Sequence, residues 1–124
     1  MKMLRACRTG WFLALAGVLV LCLLPLKSSS ASLSNLDKVE HAVIFLLLAW
    51  SALRLWPSHG RTVVLGLLAF GGLIELLQAY TPWRSAEALD WLADAAGVAL
   101  AGLLVRQPAS ARRAASARPR PWGW

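Results

Sequence analysis

Four apolar stretches, each close to one bilayer crossing in length, constrain this chain more than anything else in it: Trp11 to Leu26, Val39 to Trp56, Thr62 to Tyr80 and Leu89 to Val105. A helix of roughly 17 to 25 residues spans the hydrocarbon of a bilayer. The stretches are rich in Leu and Ala and do not alternate apolar with polar positions, so they read as helices and not strands. Helices also satisfy their own backbone groups, which lipid demands of anything that crosses it. With 58% apolar residues, seven tryptophans and 15% charge in 124 residues, there is more apolar material than a soluble core of this size can bury. The expected fold is all-α: a polytopic membrane protein, an antiparallel bundle of four transmembrane helices over about 11–26, 39–56, 62–80 and 89–105.

The connections are short, about ten residues from Lys27 to Leu36, a turn at Pro57-Ser58-His59-Gly60, and a loop from Thr81 to Ala88, and they leave no room for a soluble domain. Three regions follow: a basic cytoplasmic segment 1–10, the membrane domain 11–106, and a basic tail 107–124 of Ala, Ser, Arg and Pro that is expected to lack a fixed fold. Its arginines suit anionic headgroups, and Trp122 and Trp124 suit the interface. The first stretch has a competing interpretation, because Lys2, Arg5 and Arg8 precede it and Ser29-Ser30-Ala31 follows like a signal-peptidase site. Its apolar run exceeds the roughly 7 to 15 residues of a signal core, which favours a retained helix. Cys22 lacks the small preceding residue of a lipoprotein site, and Cys7 lies most of a helix away from it, so no intramolecular disulfide is expected.

Orientation follows from the basic residues. With the N-terminus inside, ten of the thirteen Lys and Arg fall on the cytoplasmic side and only Lys27, Lys38 and Arg84 on the other. The expected location is therefore the bacterial cytoplasmic membrane, with both termini cytoplasmic. This topology accounts for the net charge of +7 without invoking nucleic acid. It also gathers every acidic residue, Asp37, Glu40, Glu75, Glu87, Asp90 and Asp94, at the outer side. A charged group within a bilayer costs a few kcal/mol or more unless it is paired or hydrated, so acids in apolar runs are functional candidates.

Helix periodicity brings the polar residues together. Asp37 and His41, four apart, share the outer turn of the second helix; Glu75 and Gln78 lie on one face of the third in register with Gly71; Asp90, Asp94 and Gly97 form one stripe on the fourth; Arg84 stands in the loop between. Gly71, Gly72, Gly97 and Gly102 favour close helix contact. Structural roles compete with functional ones. Asp37 and Asp90 suit helix N-termini, Ser85 offers a cap to the fourth helix, and His41 has Asp37 and Glu40 as neighbours. Lys38, Glu40 and Glu87 read as solvated charges, and Arg84 as a partner of Glu75 or Asp90. Glu75 and Asp94 resist such readings, lying about a turn or more inside apolar runs, with Gln78 as their expected hydrogen-bond partner.

The series Asp37-Lys38-Val39-Glu40-His41, Glu75-Leu76-Leu77-Gln78, Arg84-Ser85, Asp90 and Gly97 resembles the ordered motifs of the VanZ-like family of small bacterial membrane proteins. The resemblance runs from about Leu24 to Leu104, and the ordered set is more specific than any one element. One departure stands out: where the family usually has Asn, this chain has Asp94, so the family's charge pairing does not transfer. The founding member is associated with low-level resistance to teicoplanin, while most relatives have no assigned activity. The resemblance therefore implies a membrane domain and not a reaction.

Three classes of function stay open. The preferred one is a protein that binds or modulates a polar cell-envelope or lipid-headgroup component, with Asp37, His41, Glu75, Gln78, Arg84, Asp90 and Asp94 as the ligand-binding set and Arg84 on an anionic group. The second is an enzyme on a lipid-linked substrate with His41 as general acid or base. The third is a small proton-coupled transporter using Glu75 and Asp94, against which the first stretch holds no acid. No nucleophile motif assigns a catalytic residue, and acids with a single outer histidine make a thin metal site, so no metal or cofactor is expected. Membrane lipids are the expected partners, with a homodimer left open.

Overall fold

A computed structural model of the protein describes residues 1–25 and 34–106. The cleavage-like Ser29-Ser30-Ala31 and the tail 107–124 lie outside the described residues. Within them the chain forms α1 (Lys2–Leu23), α2 (Ser34–Leu55), α3 (Gly60–Ala79) and α4 (Ala88–Val105), with a 3-10 turn at Pro57–His59 and no strand. Three stretches are long and apolar enough to cross a membrane: Lys2–Leu23, Pro57–Ala79 and Ala88–Val105. The remaining helix, α2, has 22 residues but carries Asp37, Lys38, Glu40, His41 and Arg54.

Prolines set the helix ends. Leu24, before Pro25, is extended (φ −70°, ψ 146°), and Trp56, before Pro57, also leaves the helical region (φ −132°, ψ 65°), because the proline ring crowds a helical residue ahead of it. The basic run 2–10, expected as a flanking segment, is instead the first part of α1. The helix α2 begins at Ser34, ahead of the apolar block at Val39, so Asp37 lies within its first turn and His41 in the next. Polar side chains do not oppose helix formation; they only stop marking it by hydrophobicity. The N-cap of α4 is Glu87, which makes no side-chain capping bond, so Ser85 does not cap this helix.

The helices alternate in direction. Arg8, early in α1, donates from Nη2 to the Leu55 carbonyl at the end of α2 (3.1 Å), while Gln78, late in α3, reaches the Cys22 carbonyl at the end of α1 (3.0 Å). One end of the bundle therefore holds the starts of α2 and α4 and the ends of α1 and α3. The closest packing is between α2 and α4, which run parallel. Buried Phe45, Leu48 and Ala49 of α2 pack with Val98 and Ala101 of α4 and with Leu67 and Ile74 of α3. Gly97 is required there, since a Cβ would run into the Ala42 carbonyl and approach the Leu46 amide nitrogen to 2.9 Å. Gly102 has no such role: no described residue lies within 4 Å of its would-be Cβ. Among the described residues α1 buries none of its own. Trp11 ties it to α2 by a hydrogen bond from Nε1 to the Leu48 carbonyl (3.1 Å).

Candidate polar site at one end of the bundle

The start of α2 and the start of α4 meet through a buried pair. His41 Nδ1 lies 2.9 Å from Asp94 Oδ1, with His41 5% exposed and Asp94 fully buried. The α4 stripe predicted from spacing is the buried face of that helix: Asp90, Asp94, Gly97, Val98 and Ala101. Asp94 Oδ2 fits against α3 only because residue 71 is glycine, for a Cβ there would stand 2.8 Å from that oxygen. Gly71 thus serves the carboxylate as much as the helix contact.

Three residues earlier on the same face of α2, Lys38 Nζ contacts Glu87 Oε2 at 2.9 Å and Asp90 Oδ1 at 3.6 Å. Lys38 precedes the apolar block. The Glu87 carboxylate beside it holds its ammonium above the ordinary value; desolvation opposes this and the Asp90 charge adds to it. Glu75 Oε2 accepts the backbone N–H of Glu87 at 2.9 Å, so a carboxylate from α3 serves the amide-rich N-terminus of α4 that lacks a side-chain cap of its own. Lys38 and Glu87 are therefore linking residues that stay partly exposed, 24% and 42% of the side chain, where the sequence offered only solvated charges. The i, i+3 spacing of Lys38 and His41 was the available signal.

Gln78 and Arg84 are committed elsewhere. Gln78 Nε2 donates to the Cys22 carbonyl (3.0 Å), Trp83 Nε1 to that of Leu23 (3.0 Å) and Arg84 Nη2 to that of Leu24 (3.0 Å). These are terminal carbonyls of α1 that a helix leaves without intrahelical partners, and three side chains from α3 and the following loop satisfy them. Gln78 is thus not the hydrogen-bond partner of Glu75 and Asp94, and Arg84 reaches α1 instead of pairing with Glu75 or Asp90. Trp83 was not anticipated; an indole N–H beside two helix ends was its only signal.

Between these contacts lies a cavity of about 240 Å³, with Val18, Leu21, Cys22 and Ile44 as its apolar wall and Asp37, Glu40, His41 and Arg84 as its polar one. Of the seven expected site residues, Asp37, His41 and Arg84 line it. Asp94 stands behind His41, Asp90 beside Lys38, Glu75 against the start of α4, and Gln78 against α1. Asp37, His41 and Asp90 also each bring one potential metal-ligand atom within 4.8 Å of the others. Protein-family models, curated proteins and solved structures were each compared with this chain, and none matches.

Proposed function

We propose that the chain is a VanZ-like protein of the bacterial cytoplasmic membrane, with all four helices crossing, both termini cytoplasmic and the polar end outward. There it binds an anionic cell-envelope or lipid-headgroup component. The pairing of His41 with Asp94 and of Lys38 with Glu87 supports a fourth span, because paired polar groups lower the cost of placing α2 among lipid-immersed helices. The observation that carries the binding reading is the two-sided cavity: an apolar wall from α1 and α2 faces a polar wall that includes a guanidinium, as an amphiphile with an anionic head requires. Arg84 spends Nη2 on α1, while its buried Nε has no hydrogen-bond partner among the described residues. A donor in that condition favours an incoming acceptor.

Topology is tested by single cysteines at positions 37, 59, 84 and 110 in a background without Cys7 and Cys22. Labelling of 37 and 84 from outside, and of 59 and 110 from inside, is the expected pattern. Binding is tested by native mass spectrometry of the full chain in micelles holding phosphatidylglycerol and phosphatidylcholine. Preferential retention of phosphatidylglycerol, reduced roughly tenfold by Arg84→Ala, is expected, equivalent to about 1.4 kcal/mol. Equal retention of both lipids by the wild-type chain defeats the reading.

A second reading draws on the buried pair. When Nδ1 of His41 donates to Asp94, Nε2 keeps its lone pair, the tautomer a general base needs. Turnover of a lipid-linked substrate that stops with His41→Gln but survives Arg84→Ala favours this enzyme over the binding protein.

A further inference from the structure

We infer that Asp37, His41 and Asp90 form a binding site for a divalent transition-metal ion, with Zn²⁺ the best fit and Mn²⁺ next. The three residues come from two helices, and their nearest ligand atoms lie within 4.8 Å of one another. Metal–ligand bonds of roughly 2.0–2.2 Å place ligand atoms about 3–4 Å apart, so the set needs to draw together by about an ångström. Imidazole with two carboxylates suits a borderline ion better than Ca²⁺ or Mg²⁺, which prefer all-oxygen sets.

Observations outside the three ligands point the same way. His41 Nδ1 is engaged by the fully buried Asp94, which fixes the ring and leaves Nε2 for a ligand; carboxylate–histidine–metal relays are built in this way. Asp90 is 5% exposed, and its Oδ1 accepts no hydrogen bond among the described residues, the Lys38 ammonium standing at 3.6 Å. Three protein ligands leave coordination positions open, and Asp37 and His41 line the cavity through which water or an anionic group would reach them.

This inference goes beyond the binding reading and does not need it, because metal uptake is measured without lipid ligand. The tag-free full chain, stripped with a chelator and kept in neutral detergent, is titrated with Zn²⁺ alone against a chromogenic competitor, with metal content measured by mass spectrometry. One equivalent per chain is expected. Asp37→Asn and His41→Gln are expected to weaken it by roughly 100-fold, and Asp94→Asn by roughly 10- to 100-fold as an orienting residue. His59→Ala, exposed at the opposite end, leaves it unchanged. Co²⁺ added to the wild-type chain is read by its visible ligand-field bands, a test that depends on no variant and so on no variant's folding. Absence of those bands, absence of stoichiometric Zn²⁺ uptake, or uptake that follows His59 and not His41 overturns the site.

Discussion

The α2–α4 seam and α1 are held in place in opposite ways. The helix α1 carries the most apolar window of the three spanning-length stretches and buries none of its residues among those described. The helix α2 carries the polar turn Asp37–His41 yet supplies Phe45, Leu48, Ala49, Ala52 and Leu53 to the core. In water this ordering would be perverse. In a bilayer, lipid tails are as apolar as leucine, so hydrophobicity does not draw helices together; close backbone approach and polar contacts do. Gly97 against Ala42 and His41 against Asp94 supply both to the seam, while α1 is held by its end carbonyls, by Arg8 and by Trp11. Trp11, Leu15, Val18, Leu19 and Cys22 of α1 pack only partly buried against the core, and a groove of about 450 Å³ is lined by Trp11, Phe12 and Leu15 of α1 and Val63 and Gly66 of α3.

That contrast breaks most readily at the buried pair. His41→Leu leaves the Asp94 carboxylate buried without its partner and is expected to cost roughly 3 kcal/mol in reversible unfolding in mixed micelles. A loss well under about 1 kcal/mol would assign the seam to packing alone, since hydrogen bonds between membrane helices average only about 0.6 kcal/mol. Next comes the glycine comparison. Gly97→Ala is expected to destabilise by about 2–3 kcal/mol because its Cβ meets backbone, which cannot rotate away. Gly17→Ala in α1, with no described residue within 4 Å, is expected to stabilise by up to about 1 kcal/mol through helix propensity. Equal effects at the two positions would erase the distinction between the regions.

Smaller effects test how α1 is attached. Trp83→Phe removes the hydrogen bond to the Leu23 carbonyl and is expected to cost about 1 kcal/mol, seen as faster hydrogen exchange at the end of α1 with the α2–α4 amides unchanged. The least effect is expected from pH. Because Glu87 raises the Lys38 value in the folded chain, the stabilisation from this pair is complete below the ordinary lysine range and is lost as pH rises through the raised value. Wild type therefore converges on Lys38→Met in unfolding midpoint at alkaline pH, and a constant gap across the titration would show that the pair is not what separates them.

Much of the helical organisation was legible because apolar runs and prolines act locally. Leu24 and Trp56 leave the helix ahead of Pro25 and Pro57, and the α4 stripe of Asp90, Asp94 and Gly97 follows from a period of 3.6. The polar site was legible as a neighbourhood and not as a wiring. Spacing placed Glu75 and Gln78 on one face, but α1 supplies unsatisfied carbonyls that no sequence pattern advertises, and Gln78, Trp83 and Arg84 are drawn to them. Lys38 and Glu87 read only as solvated charges, because a charge at a helix end and a charge in a loop look alike until their elements meet.

The sequence by itself determined that the chain is helical and offered four stretches as spans, of which three are helices long and apolar enough to cross a membrane, and it put the carboxylates toward one set of helix ends. These properties depend on residues near one another along the chain, where length and period decide. Only the tertiary structure decided that the polar-headed α2 is the centre, that Asp94 takes His41 and fits over Gly71, and that Asp37, His41 and Asp90 converge. Partner choice among buried polar groups depends on which helix faces which and how closely their backbones approach, and no single helix encodes that.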